Sequence, residues 1–458
     1  MVAAARVRRA VTGHALYRQV SGHGTISVLL RGAAVAFTIG VLTRFISFPV
    51  NVVLARAMGV AEFGIFGYVA TWAYLLGLVA LLGFDSALKR FVAVYHATGE
   101  TGLLRGVLRR AYEVTLAAAV VVIAGLVVTI LVFGDQMGRS LTLTLLVAAA
   151  ALPLEVMHSL QTASLVAMKK VASSQTLSNL MPSVLVGLAA GVLYFARDEP
   201  VRAYEVYLLG ALATGCLLLV GRRFVRSALP EAARAARPVY RTREWVRVSL
   251  PMLLVDGIRE VMNRSDVILI GLLVGTTPAG IYIVALNLAR FTSYGLQATT
   301  TASLPLIAEL HATGNRRDLQ RMFATACWAA TATSTALAIA IVAARGPLLG
   351  LFGEEFAAGS TVMAILIGGR VLDAWSGPNG SLLNMTGNQD VYAAILGITA
   401  VVNVALTYPA VLQWGIEGAA VVTGLSLALK NVAVWVVVKR RMGLNASIFG
   451  GLPLRGVS

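Results

Sequence analysis

RAMGVAEFGIFGYV (56–69) and LLVGTTPAGIYIVA (272–285) are two copies of one pattern, in which an apolar run ends at a glycine and a second glycine opens the next apolar run. Gly59 pairs with Gly275 and Gly64 with Gly280, both at an offset of 216. A further pair of stretches, VYHATGETGLLRGVLRRA (94–111) and ELHATGNRRDLQRMFATA (309–326), repeats at an offset of 215 through His96-Ala97-Thr98-Gly99 and His311-Ala312-Thr313-Gly314. Two unrelated matches at nearly one offset identify an internal duplication of the chain.

What is duplicated follows from composition. Of 458 residues, 58% are hydrophobic and 13% charged, against about a quarter charged in a soluble domain, and the mean hydropathy is +0.79. Apolar runs of about 20 residues, each long enough to cross a bilayer, recur along the whole chain. The runs and the polar breaks between them predict helices near 25–55, 63–83, 107–133, 141–167, 174–196, 203–221, 246–273, 278–308, 319–344, 358–386, 391–412 and 416–438. Each copy of the repeat holds six. An even number gives both copies one orientation, related by an axis along the membrane normal. The expected fold is an all-α polytopic membrane protein of about twelve transmembrane helices, two six-helix lobes flanking a central cavity. Its expected parts are a cytoplasmic tail (1–24), an N-terminal lobe (25–221), an arginine-rich cytoplasmic linker (222–245), a C-terminal lobe (246–441) and a second cytoplasmic tail (442–458).

Charge supports that orientation. With the N-terminus inside, 26 of the 38 lysines and arginines fall in cytoplasmic segments and five outside, as the positive-inside rule requires. The formal charge of +17 is therefore a matter of topology and anionic headgroups. The basic residues sit in short loops and build no nucleic-acid-binding domain. The basic N-terminus precedes an apolar run too long for a signal peptide and reads as a tail before a retained helix. Cys216 and Cys327 lie in apolar segments without metal or disulfide spacing and read as packing residues. No metal and no cofactor is expected.

The remaining seven basic residues, Arg31, Arg44, Arg259, Arg264, Arg290, Arg370 and Lys430, fall inside predicted helices. Each costs about 2.5–3.5 kcal/mol at a helix centre, so together they need water or an anion. Helix 7, WVRVSLPMLLVDGIREVMNRSDVILIGLLVG (245–275), is the clearest case. At about 100° per residue, Arg259, Glu260, Asn263, Arg264 and Asp266 all lie within about 80° of Asp256, with Leu254, Ile258, Val261 and Met262 on the other face. The stripe reads as cavity lining, although pairing of Asp256, Arg259, Glu260 and Arg264 as structural salt bridges stays open for any one of them. Arg44 sits near the repeat equivalent of Arg259. Arg31 reads first as snorkelling to headgroups.

In helix 10, ILIGGRVLDAWSGPNGSLLNMTG (365–387), Arg370 and Asp373 are three apart, and Ser376 to Gly380 breaks the helix, as is tolerated where a helix lines a cavity. Glu155 and His158 on helix 4 form a Glu-x-x-His pair. A metal site of that kind needs a second copy and further carboxylates, so the readings left are a structural hydrogen bond or, with Glu260, ion or proton coupling. Nucleotide-binding loops, a Ser/His/Asp set and any extramembrane segment long enough for a catalytic domain are missing from the sequence. An enzyme is not expected.

The runs VVLARAMGVAEFGIFGYVATW (52–72), SDVILIGLLVGTTPAGIYIVA (265–285) and WGIEGAAVVTGLSLALKNVAVWVVVKRRMG (414–443) resemble the polysaccharide-transporter flippases of Wzx type. These belong to the multidrug/oligosaccharidyl-lipid/polysaccharide exporter superfamily. The resemblance covers residues 25–441. It implies a flippase of the cytoplasmic membrane that moves a polyprenyl phosphate- or pyrophosphate-linked oligosaccharide from inner to outer leaflet by alternating access, with membrane lipids and glycan-assembly enzymes as partners. It makes Arg44, Arg259, Arg264, Asp266 and Arg370 candidate cavity contacts; Asp256, Asn263, Asp373 and Lys430 complete the set drawn from charge and face. Arginine suits phosphate through its planar, bidentate donors. The rival readings are a drug/cation antiporter of the same superfamily, which calls for carboxylates in an otherwise uncharged cavity, a membrane glycosyltransferase or polymerase, which calls for a long outer loop, and a non-transporting scaffold.

Overall fold

The computed structural model describes residues 23–196, 199–445 and 447–448, with side chains placed from residue 38 onward except at Pro305. The expected tails therefore fall almost wholly outside the described residues, and so does the side chain of Arg31.

The described chain is helical, without strands, and the repeat glycines punctuate it as the sequence predicts. The helix His23–Leu81 breaks at Gly59 (φ 71, ψ 170) into helix 1 (23–58) and the start of helix 2 (60–81). Gly275 (φ 120, ψ 168) separates helix 7, Thr242–Leu273, from helix 8, Thr276–Arg290, in a matching backbone state. A Cβ is disfavoured at such positive φ, which accounts for glycine at both equivalent points. Gly99 and Gly314 likewise end helices in the left-handed region. Helices 3, 4 and 6 are Thr101–Phe133, Arg139–Ala167 and Ala203–Ala228. Helix 5 (171–196) contains a π turn, Thr176–Leu180. Helix 9 is Arg316–Ala343, and helix 10 is Ser360–Trp375 continued by Asn379–Met385. Gln389–Met442 breaks at Gly415 (φ 59) into helix 11 (389–414) and helix 12 (416–442).

The described residues thus form twelve helices in two lobes of six, as expected. Among the described residues, the segments long and apolar enough to cross a membrane cover ten of the twelve. Helices 7 and 8 are not among them, because helix 7 carries five charged residues through its middle and helix 8 is interrupted at Phe291–Ser293 before resuming as Tyr294–Ala312. Several boundaries differ from expectation: helix 3 begins at Thr101, and helix 6 runs on to Ala228 while helix 7 begins at Thr242, which leaves 229–241 of the expected linker 222–245. Helix 2 does not stop at 83 but resumes as Phe84–Thr98, whose buried Phe84, Ala87, Leu88, Phe91, Val92 and Tyr95 make an apolar stripe; Asp85, Lys89 and Arg90 on the other face mask it in hydropathy. Helix 10 does break at Ser376–Pro378, but the break packs inside its lobe: a Cβ on Gly377 would meet Cys327 Sγ at 2.4 Å. It lines no cavity.

The segment 229–241 between the halves is fastened to the N-terminal lobe. Arg105 donates to the carbonyls of Arg234 (2.6 Å) and Ala236 (2.8 Å), Val239 N donates to Gly102 O, and Trp245 Nε1 donates to Tyr95 OH at 3.1 Å. The face bearing this segment is called the linker side below. On the opposite side the lobes meet through their repeat-equivalent helices, with helix 2 crossing helix 8 at Gly64 and Gly280. A Cβ on Gly64 would lie 2.1 Å from Thr276 O, and one on Gly280 2.7 Å from Gly64 Cα. Lipid tails are as apolar as leucine, so helices associate in a bilayer by close packing, and small residues permit it. Aromatic edges close the same side, with Phe48 against Phe352 and Phe63 against Phe356, both at 5.8 Å. Arg56 adds a latch, donating to Leu351 O (2.6 Å) and Gly350 O (3.2 Å).

Gly64→Ala is expected to destabilise the protein by about 1–3 kcal/mol, the usual cost of overpacking, read as a lowered Tm of the solubilised protein. Gly125→Ala, where the added methyl meets open space, serves as the control and should leave Tm unchanged or slightly raised.

Candidate functional site

Below the closed layer, between the lobes, lies a cavity of about 440 Å³. Arg44, Ser47, Phe48 and Asn51 of helix 1 form one wall. Glu260, Asn263 and Arg264 of helix 7, Asn287 and Arg290 of helix 8, Tyr294 and Gln297 beyond its interruption, and Arg370 of helix 10 form most of the rest, with Leu288, Phe291, Ser293 and Phe352. Counting along each helix at 1.5 Å per residue, these arginines sit about 14–22 Å from the closed-side helix ends, near the middle of a bilayer of about 30 Å. Toward the linker side helix 7 stays packed on the N-terminal lobe, through Gly83 against Ser249 and Ser86 Oγ donating to Asp256, while the second pieces of helices 2 and 8 diverge. There the second piece of helix 2 packs on helices 3, 4 and 7, and that of helix 8 packs on helices 9 and 10.

Four arginines face one carboxylate in this space. Arg264 is partly neutralised, its Nε 3.2 Å from Glu260, and its guanidinium lies 3.9 Å from the Tyr74 ring of the other lobe. Arg44 crosses the gap, donating from Nη1 to Gln297 Oε1 at 3.0 Å and resting over the Tyr294 ring at 5.0 Å. Arg290 donates to Asn287 Oδ1 at 3.3 Å. Among the described residues no carboxylate lies within salt-bridge distance of Arg44, Arg290 or Arg370. The wall is therefore net basic, rich in amide and hydroxyl groups, and edged by Phe48, Phe291 and Tyr294. It can hold an anion by charge-assisted hydrogen bonds.

A family model described as polysaccharide biosynthesis protein matches residues 29–311, more than half of the chain. The chain belongs to that family. A second model, MatE, matches residues 251–409. A probable low-salt glycan biosynthesis flippase of Haloferax volcanii is 25% identical over 168 residues, 36% of this chain and 36% of that protein. The match thus spans about a third of the relative's length. Among solved structures, an inward-facing multidrug resistance MATE family transporter of the MOP superfamily superposes with a TM-score of 0.68 at 13% identity, over 90% of this chain and 98% of the other. The lipid II flippase MurJ, in an inward closed conformation, gives 0.65 at 12% identity, covering 88% and 87%. This member of the polysaccharide biosynthesis family has the fold of those membrane transporters.

The structure divides the residues singled out from sequence. Arg44, Glu260, Asn263, Arg264 and Arg370 line the cavity. Asp256 and Arg259 do not: Arg259 binds Asp256 at 2.9 Å, and Asp256 also accepts from Ser86 Oγ at 2.9 Å, nearer the linker side. Helical angle alone had grouped them with the lining. Asp266 is 3% exposed and turned into the C-terminal lobe, accepting from Tyr282 OH at 2.7 Å and Val267 N at 2.8 Å. Asp373 pairs with Lys430 at 2.9 Å rather than with Arg370, and Asn431 donates to the same oxygen. This pair is a structural tie between helices 10 and 12. Glu155 and His158 lie in the N-terminal lobe outside the cavity lining, with His158 Nε2 3.1 Å from Leu177 O in the π turn. Arg290 was visible in the sequence only as an intramembrane charge, while Asn51, Asn287 and Gln297 carried no signal in the sequence beyond being polar in apolar runs.

Lys430→Met should lower stability by about 3–5 kcal/mol, because it strands a buried Asp373 carboxylate. Pairing it with Asp373→Leu should recover most of the loss. A double-mutant cycle on Tm tests this, and equal, additive losses would refute the pairing.

Proposed function

We propose that the protein is a flippase for a lipid-linked oligosaccharide, binding the phosphate or pyrophosphate of a polyprenyl carrier in the arginine cavity and releasing it on the far leaflet by alternating access. The single observation that carries the reading is the charge of the cavity, four arginines against Glu260 at membrane depth. A polyanionic headgroup supplies what those arginines lack. Arginine donors meet phosphate oxygens bidentately, and the asparagines, Gln297 and aromatic edges around them suit sugar hydroxyls and ring faces. A cationic drug would meet repulsion in the same place. The kinship with a flippase named for glycan biosynthesis and membership of a polysaccharide biosynthesis family point the same way.

In this reading the linker side is cytoplasmic, where basic segments concentrate. The conformation described accepts substrate from the inner leaflet, while the layer of Gly64, Gly280 and the phenylalanines blocks the outer side. Opening that layer and closing the linker side completes the movement. Glycan-assembly enzymes would supply and consume the substrate on the two faces.

The reading is tested in proteoliposomes with a fluorescent polyprenyl pyrophosphate-linked glycan, following protection of the label from an external quencher. Wild type should transport it. Arg264→Ala with Arg370→Ala should reduce affinity at least tenfold, since each charge-assisted hydrogen bond lost is worth about 1.5–3 kcal/mol. Transport of a cationic dye in its place, or glycan transport indifferent to both substitutions, would refute the proposal.

A further inference from the structure

Two residues of helix 6, Gly215 and Leu217, look in opposite directions. Leu217 packs with Leu177 and Leu185 of helix 5. Gly215 opens into a groove of about 480 Å³ between helices 4 and 6, walled by Ala150 and Ala151 of helix 4 and by Leu208, Leu212 and Leu219 of helix 6. None of these residues borders the central cavity, and the three leucines are exposed. The groove thus lies on the face of the N-terminal lobe that is turned to the bilayer. Small residues make it: a Cβ added to Gly215 would meet nothing within 4 Å. A void beside hydrocarbon forfeits dispersion contacts, so in a membrane a flexible chain fills it.

Three arginines continue the same face. At about 100° per residue from Gly215, Leu208, Leu212 and Leu219 lie at about 20°, 60° and 40°, and Arg222, Arg223 and Arg226 at about −20°, 80° and 20°. Counted at 1.5 Å per residue from Ala203, the groove runs from about 7 to 24 Å and the arginines follow at about 28–35 Å. A hydrocarbon core of about 30 Å gives way to headgroups at that level, and the groove is about as long as one leaflet is deep. All three arginines are exposed, and none has a hydrogen bond or salt bridge among the described residues. Other cations of the linker side are engaged: Arg105 by carbonyls of the inter-lobe segment, Arg109 and Arg110 by Glu113, Arg241 by Glu244 and Lys89 by Asp85. Topology asks only that cations lie on this side. It does not ask that three of them share the helix face that carries a groove.

We propose that the groove and these three arginines are one binding site for an anionic diacyl phospholipid of the leaflet on the linker side. One acyl chain lies along Ala151 and Gly215, and Arg222, Arg223 and Arg226 donate to the phosphate at the headgroup boundary. Guanidinium donors match phosphate oxygens in pairs. Three cations with no carboxylate among them favour a headgroup of net negative charge over a zwitterion, whose own cation they repel. The site is separate from the central cavity, so this lipid is a resident of the lobe wall and not cargo. The proposal therefore stands or falls independently of the flippase reading.

The test is native mass spectrometry of the full-length protein in detergent, titrated with dioleoyl phosphatidylglycerol or dioleoyl phosphatidylcholine. Alkylation of Cys216 by N-ethylmaleimide marks the place of binding, since Cys216 is exposed on the groove wall and Cys327, the other cysteine of the chain, is buried. Wild type should bind the first phosphatidylglycerol at least tenfold more tightly than phosphatidylcholine, and that binding should slow alkylation severalfold. Gly215→Leu, whose side chain enters the open groove, should weaken phosphatidylglycerol binding at least tenfold. Arg222→Gln with Arg223→Gln and Arg226→Gln should bring the two lipids to one affinity. Lys439→Gln with Arg440→Gln, which removes exposed charge from the end of helix 12 in the other lobe, should leave the preference unchanged. Absence of a preference in wild type, a preference that survives either groove or arginine variant, alkylation indifferent to bound lipid, or an equal loss in the helix 12 control would overturn the proposal. So would a wild-type dimer that Gly215→Leu converts to monomer, because the groove would then hold a second copy of the chain. The arginine variant alters only exposed side chains and decides even where Gly215→Leu does not fold.

Discussion

Arg44, Arg290 and Arg370 are guanidinium groups at membrane depth that form no salt bridge among the described residues, and the rest of the structure is arranged around that fact. A single such charge costs about 2.5–3.5 kcal/mol to insert, and three are tolerable only where water or an anion meets them. The lobes must therefore part on one side. They must also remain one molecule, and the closed layer supplies that contact at the far end: backbone against backbone at Gly64 and Gly280, ring edges at Phe48, Phe63, Phe352 and Phe356, and the carbonyl latch of Arg56. None of these contacts needs a hydrophobic driving force between helices, which lipid does not supply. Each is of a kind that separates without stranding a buried charge.

The sequence made the fold legible because the repeat is written in glycines whose backbone states leave little choice. Gly59 and Gly275 stand 216 residues apart and adopt positive φ with nearly equal ψ, so their equivalence is a statement about geometry as well as letters. The candidate site was legible only in part. Helical angle correctly gathered Glu260, Asn263 and Arg264 on one face, but it fixes direction around an axis and says nothing of depth or of neighbours. Arg259 is caught by Asp256, about one turn before it, and Asp266, about two turns farther along, meets Tyr282 of helix 8. The Lys430 and Asp373 pair joins residues 57 apart in sequence, a distance no periodicity reaches. Helix 2 hid its second half because one face of it is polar.

Duplication gave the two lobes one scaffold, and their interiors then diverged. Arg44 and Arg259 occupy nearly equivalent places, yet only Arg44 reaches the cavity: helix 1 offers it no acidic neighbour, so it stretches to Gln297 in the other lobe. The C-terminal lobe has accumulated the polar inventory, with Asp266 and Tyr282, Ser265 with Asn403 and Ser426, and Asp373 with Lys430 and Asn431. The N-terminal lobe contributes mainly walls, hinges and the Tyr74 ring under Arg264. That division has a physical reason. Movement of two lobes about a shared layer asks for matching shapes, which symmetry provides. Holding an anion asks for donors at particular points on one wall, which symmetry would only place twice. A duplicated bundle in which the second copy supplies three of the four cavity arginines and the first supplies Arg44 meets both demands, and the closed layer at Gly64 and Gly280 is where the two roles join.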